Sequence, residues 1–218
     1  MNSTEKWRAY FSPVGRIRML AGHPALDMAN TLHWRDGELL DFVASYSSLV
    51  DWAEVAGLLT QAEKTALLER ASGQGENSNG IHRQWLQLRA ALKAWLPSID
   101  GQDQALWRGA IKHRETEALS EIIATVAGAA PLGVYYGLGV PADADGSLAL
   151  PLLRSATAIW NLMTFPPRGF VRQCEADSCG GYFVDQSRAR PRRWCSMDSC
   201  GNRAKALRFR QHAGQAAD

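Results

Sequence analysis

The first 173 residues of this 218-residue chain contain no cysteine; all four cysteines fall between Cys174 and Cys200. Long apolar runs are missing as well: no stretch reaches the roughly 18 residues a membrane-spanning helix needs. Met1 to Phe11 is polar and lacks the apolar core of a secretion signal. A cytoplasmic location is therefore expected, where thiols stay reduced. Enzyme signatures are absent: there is no Gly-x-Ser-x-Gly, no His-Glu-x-x-His, no Gly-Lys-Ser phosphate loop and no dinucleotide fingerprint. The chain is expected not to be an enzyme. It also has no internal repeat and no low-complexity segment.

Net charge is nearly absent too, at +2, but its distribution is uneven. Residues 168–218 carry ten Lys/Arg against five Asp/Glu, while the preceding 167 residues carry fourteen against seventeen. Between Arg188 and Arg210 there are eight basic residues and one acidic one, Asp198. Such asymmetry suits a polyanion-binding appendage, although a solvated basic tail has the same composition.

The remainder is globular in character, 46% hydrophobic. Residues 14–20 alternate apolar and polar side chains as a short strand does. Leu26, Ala29 and Leu32 share one face if residues 25–32 are helical. Ser48 with Asp51, and Thr60 with Glu63, have capping-box spacing, and Gly57 is placed to stop the first of these helices. The Gly/Ser/Asn-rich residues 72–80 read as a loop. Ile81, Trp85, Leu88, Leu92 and Trp95 then form the stripe of a buried helix face, ended by Pro97.

One or two helices are expected in residues 102–127, with Leu119, Ile122 and Ile123 inward. Residues 134–138 favour a strand, which the Asp145-Gly146 turn signal would join to Leu148–Leu150 as a hairpin. Pro151 suits the first turn of a helix running to about Met163, and Pro166-Pro167 makes a boundary. The expected organisation is a mostly helical α+β domain over residues 1–165, with a few short strands. A small four-cysteine module over residues 168–212 follows it.

Within that module the pattern is Cys174-x4-Cys179, fifteen residues, then Cys195-x4-Cys200. Two such knuckles can present four sulfurs to the tetrahedral corners of one zinc ion. Free buried thiols would leave the clustering unexplained, and disulfides conflict with a reducing compartment. Four cysteines leave no open coordination position, so the ion is expected to be structural. Between the knuckles, residues 181–185 read as a strand and residues 188–193 as a basic turn. Phe183 and Trp194 are expected to cover the metal. A basic helix should follow Cys200, with Asn202 as its N-cap.

The residues Phe183-Val184-Asp185-x-Ser187-Arg188, Arg192-Arg193-Trp194-Cys195-Ser196-Met197 and Cys200-Gly201-Asn202-Arg203-x-Lys205 resemble the CGNR zinc finger, which is named for that last tetrapeptide. Upstream, Leu26-Asp27-x-x-Asn30-Thr31, then Leu49-x-x-Trp52 and Gly57-Leu58, resemble the ABATE domain that precedes this finger in bacterial proteins. The resemblance implies a stress-linked transcription regulator, with the four cysteines carried over as zinc ligands.

For a DNA-binding finger, Arg188, Arg190, Arg192, Arg193 and Lys205 are the candidates for phosphate contacts, which position without reading sequence. Arg203, Arg208 and Arg210 are candidates for a groove, where guanidinium groups read guanine. Arg203 has a second reading as a tie within the finger. Asp185 suits orienting Arg192 or Ser187 better than touching DNA. Asp27, Asn30 and Thr31, with Trp34 or Trp52, are candidates for a small-molecule effector pocket. Their other reading is the satisfaction of backbone groups at a bend. His23 and His33 lack the pattern of a second metal site. The leading expectation is a zinc-containing DNA-binding regulator; a protein–protein adaptor with a structural zinc module, or an RNA binder, is the alternative.

Overall fold

A computed structural model describes residues 19–35, 38–102, 114–128, 147–177, 179–188 and 192–215. In chain order these form α1 (Pro24–Asn30), β1 (Leu32–Arg35), β2 (Glu38–Asp41), α2 (Tyr46–Val55), α3 (Gln61–Ser72) and α4 (Gly75–Trp95). A 3-10 turn (Leu96–Ile99), α5 (Arg114–Gly128), α6 (Leu150–Thr164), β3 (Phe170–Gln173), β4 (Tyr182–Asp185), a π turn (Met197–Gly201) and α7 (Asn202–Gln215) follow. The described strands form two antiparallel pairs, β1 with β2 and β3 with β4. The mostly helical α+β class with a four-cysteine module is the one observed.

Local chemistry explains most boundaries. Thr60 and Glu63 form the expected capping box at α3, the Glu63 carboxylate accepting from the Thr60 N–H at 2.6 Å. The cap of α2 lies three residues earlier than expected, at Ser45, which exchanges hydrogen bonds with Ser48. Gly57 takes φ +71°, the left-handed conformation that ends α2. Pro151 lies in the first turn of α6, where its missing N–H costs nothing.

Three expectations require correction. Residues 75–80 belong to α4 instead of a loop. Helix propensity is poor there, but Ser78 is buried and turns its hydroxyl back onto the Gly75 carbonyl at 3.0 Å, so packing of a long amphipathic helix overrides local preference. Leu148–Leu150 is no strand: Leu150 begins α6, and Leu148 is buried with its carbonyl accepting from the Tyr46 hydroxyl at 2.8 Å. Leu32 starts β1 and does not continue the α1 face. The strand expected at residues 134–138, the Asp145-Gly146 turn and most of the strand at 14–20 lie outside the described residues.

The core lies between α1, α4, α5 and α6, where the stripe Trp85, Leu88, Leu92 and Trp95 is buried. Two of the three buried indoles among the described residues place their N–H groups: Trp85 donates to Ser155 Oγ at 2.9 Å and Trp95 to Thr116 Oγ1 at 3.0 Å, while the N–H of Trp52 finds no acceptor. Arg89 of α4, only 4% exposed, is held by a bidentate pair with Asp41 at 2.6 and 2.7 Å. It also donates to Thr31 Oγ1 at 3.0 Å and stacks over Trp85, so a buried charge is compensated on every side.

β3 and β4 pair Val171 with Val184 and Arg172 with Phe183. Side chains alternate along β4: Tyr182 and Val184 join the helical core with Val171, while Phe183 points to the cysteine cluster. One short hairpin is thus the floor of the metal centre and a wall of the helical domain. Its outer edge is closed by α1 and the preceding loop, through Asn30 on Tyr182 and the Ala21 carbonyl on the Val184 N–H. The segment just after the 3-10 turn holds β3, the Gly101 N–H donating to the Val171 carbonyl at 2.8 Å.

Candidate metal centre and nucleic-acid interface

Cys174 leaves the end of β3, its N–H bonded to the Gly181 carbonyl at 2.7 Å, and Cys179 follows on a turn closed to Ala176 at 2.9 Å. Cys195 is drawn in by the Arg193 carbonyl, which accepts from the Glu175 N–H at 2.9 Å and ties the two knuckles together. Cys200 sits in the π turn at the head of α7. There a Cβ on Gly201 would lie 2.5 Å from Sδ of the exposed Met197, so that side chain would have to turn aside to admit one.

The four Sγ atoms lie within 4.8 Å of one another, with Cys179–Cys195 at 3.7 Å and Cys195–Cys200 at 3.6 Å. Disulfides are excluded at such lengths, and all four cysteines are free. A tetrahedral zinc with Zn–S near 2.3 Å requires sulfurs about 3.8 Å apart, so the set fits one zinc ion. The Cys195 N–H donates to Cys174 Sγ at 3.4 Å, and Arg203 Nη2 donates to Cys200 Sγ at 3.2 Å, as outer partners of thiolates do.

Charge points the same way. Cys174 is drawn down to about 7, first by its hydrogen bond with Cys179 and then by that with Cys195. Cys200 is pulled down by hydrogen bonds from the other three, Cys174 foremost. Cys179 and Cys195 are pushed up, each by Cys174 first. Four thiolates at these distances repel one another. A divalent cation is what allows all four to be ligands at once.

Phe183 is fully buried under the cluster and Trp194 packs against it, as expected. Arg192 stacks over the Phe183 ring with its guanidinium carbon 4.5 Å from the centroid. Its donors go to the carbonyls of Trp194, Val184 and Cys195, so Arg192 fastens the finger internally. Arg203 is likewise directed to Cys200, which favours the tie over the groove. Asp185 is buried and accepts from Ser187, from its N–H at 3.0 Å and its hydroxyl at 2.6 Å. Burial works to raise its pKa, but these bonds keep the carboxyl below the usual range.

The other basic candidates divide by exposure. Arg188, Arg193, Lys205, Arg208 and Arg210 are exposed, while Arg190 lies outside the described residues. Arg193 pairs with Glu175 and lies 5.3 Å from the Trp194 ring centroid, with Arg208 at 5.7 Å. Arg168, which belongs to no motif of the chain, is exposed and lines a recess of about 480 Å³ with Arg188, Ser187 and Asp185. Its position at a Pro-Pro boundary hid it; only the local charge count carried a signal.

Of the effector candidates, Asn30 spends its amide on Tyr182, and Thr31 donates to the Met28 carbonyl at 2.7 Å while accepting from Arg89. Asp27 accepts from the Ala21 N–H at 3.1 Å. Burial raises its pKa to about 7, against the lowering by the Ala21 and Leu20 amides. Trp52 is a core residue, 5.3 Å from Trp85 between ring centroids, and the Trp34 side chain lies outside the described residues. Asp27, Asn30 and Thr31 thus make internal hydrogen bonds to backbone groups and to Arg89.

A family model described as "CGNR zinc finger" matches residues 171–213, and one for ABATE, described as "Putative stress-induced transcription regulator", matches residues 22–161. No curated protein matches the chain.

Proposed function

From a chain that belongs to the ABATE family and carries a CGNR zinc finger, we propose a zinc-organised, DNA-binding transcription regulator, acting in the bacterial cytoplasm under stress. One observation carries the reading. The sulfur cluster holds the root of a 14-residue helix, α7, on which Lys205, Arg208 and Arg210 are exposed. Among the described residues no carboxylate pairs with them. Cations left unneutralised on a metal-anchored helix suit the phosphates of a duplex, and Arg168 and Arg188 line a second exposed basic recess beside β3 and β4. In this reading the zinc is structural, because four sulfur ligands leave it no position for substrate.

The experiment is selection of bound duplexes from a random DNA pool by the full zinc-loaded chain, beside a Cys195→Ser control. An enriched motif that the control loses is the expected result. No binding at moderate salt would overturn the reading in favour of an adaptor, whose apolar contacts should barely respond to salt.

A further inference from the structure

An exposed phenylalanine lies at the centre of the α7 outer face. Phe209 is 76% exposed, the most of any large apolar side chain among the described residues. At about 100° per residue, Asn202, Lys205, Ala206 and Phe209 share one stripe. All four are exposed, whereas Arg203 and Ala204 on the opposite side are half-buried against the finger. Phe209 therefore points away from the protein, with Lys205 one turn before it, Arg210 on its flank and the small Ala206 leaving room at its side.

The composition of this face selects its partner. A helix that docks in a protein groove or on a lipid surface gathers large apolar residues at i, i+3, i+4 and i+7. Here the other exposed large apolar residue of α7, Leu207, is two positions from Phe209 and projects about 200° away from it. One ring among cations is a poor apolar face but a suitable one for a duplex. An α-helix about 10–12 Å across enters the major groove, about 12 Å wide, and not the minor groove of about 6 Å. The apolar feature on the major-groove floor is the thymine methyl group.

We infer that Phe209, with Ala206 beside it, reads thymine methyl groups from the outer face of α7 when that helix lies in the major groove. Lys205 and Arg210 on either side hold the ring there through phosphate or guanine contacts. The inference rests on the DNA-binding reading above and adds what the finger discriminates. It assigns sequence preference to an apolar contact, apart from the cations that supply affinity.

The test uses the full zinc-loaded chain and a duplex enriched from the random pool, with single thymines replaced by uracil, which removes only the methyl group. At one or two positions uracil is expected to weaken binding about fourfold per methyl lost. Phe209→Ala, an exposed substitution that leaves zinc content and helicity unchanged, should bind thymine and uracil duplexes alike. Its salt dependence should match that of the parent. Phe209→Leu should keep part of the preference. Retention of the full thymine preference by Phe209→Ala would overturn the inference, as would a parent protein indifferent to uracil at every position. In both cases the DNA-binding reading would stand. Absence of duplex binding by the parent would remove both.

Discussion

Asn30 and Tyr182, 152 positions apart, are joined by both ends of one side-chain amide: Asn30 Nδ2 donates to the Tyr182 carbonyl and Oδ1 accepts from the Tyr182 N–H, each at 2.8 Å. The pair closes the free edge of β4, which would otherwise present unsatisfied backbone groups beside the metal centre. Tyr182 is only 5% exposed, so water cannot replace the amide without rearrangement. Asn30→Ala should therefore cost about 2–4 kcal/mol, two hydrogen bonds plus the stranding of their partners. Chemical denaturation of the zinc-loaded protein measures it, and a loss below about 0.5 kcal/mol would show the clamp to be dispensable.

The same seam predicts that the finger is not autonomous. A fragment of residues 168–218 would expose Val171, Tyr182 and Val184, all buried in the full chain. So small a module has little other apolar surface to bury. Its zinc affinity should fall at least tenfold below that of the intact protein in competition with a chelating dye. Equal affinity would mean that the helical domain contributes nothing to the site.

Metal removal should be read out near Trp194, which packs on the cluster. One zinc per chain is expected in protein purified without added metal. Chelation should change Trp194 fluorescence and lower the unfolding temperature, because binding free energy of such a site is folding free energy. Cys195→Ser should reproduce the change without chelator. Native protein devoid of zinc would defeat the assignment.

The arginines should separate into two kinds. Arg192→Ala removes a guanidinium that holds three carbonyls and covers Phe183, so it should destabilise by about 2–3 kcal/mol. Lys205→Ala and Arg210→Ala should leave stability within about 0.5 kcal/mol. Each should reduce the slope of log K against log salt by about one. If Arg192→Ala were as stable as the parent, its role inside the finger would be refuted.

Asp27 makes a pH prediction whose sign is set by burial. Its folded pKa, about 7, lies above the ordinary aspartate value of 3.8, so the native state holds the proton more tightly than the unfolded chain. The contribution is present in full below about pH 4 and is lost as pH rises through 7. Asp27→Asn keeps an oxygen for the Ala21 N–H and cannot ionise, so it should flatten this window. The variant should gain on the order of 2–4 kcal/mol over the parent at pH 8 relative to pH 4. Glu63, held near 2 chiefly by Arg154, titrates below the window and does not blur it. Parallel stability profiles for parent and variant between pH 4 and 8 would refute the assignment.

Several features could be read from neighbouring residues alone. Two Cys-x4-Cys knuckles contain the metal centre because ligand spacing is a local property, and the four sulfurs converge as that spacing implies. The Thr60–Glu63 cap, the Trp85–Trp95 stripe and the Pro151 start of α6 are local for the same reason. β3 escaped notice: it has four residues, and Val171 is its only buried member. β1 and β2 were equally short, with four residues each.

The sequence by itself determined a closed four-sulfur site, a basic segment after it and a helical domain before it. Each depends on residue type and on separations of a few positions. Only the tertiary structure decided which arginines are spent inside the finger, that Asn30 belongs to the finger's edge, and that residues 75–80 continue a helix. Burial is a relation between distant segments: an amide, a guanidinium or a poor helix former acquires its role from what the fold places against it.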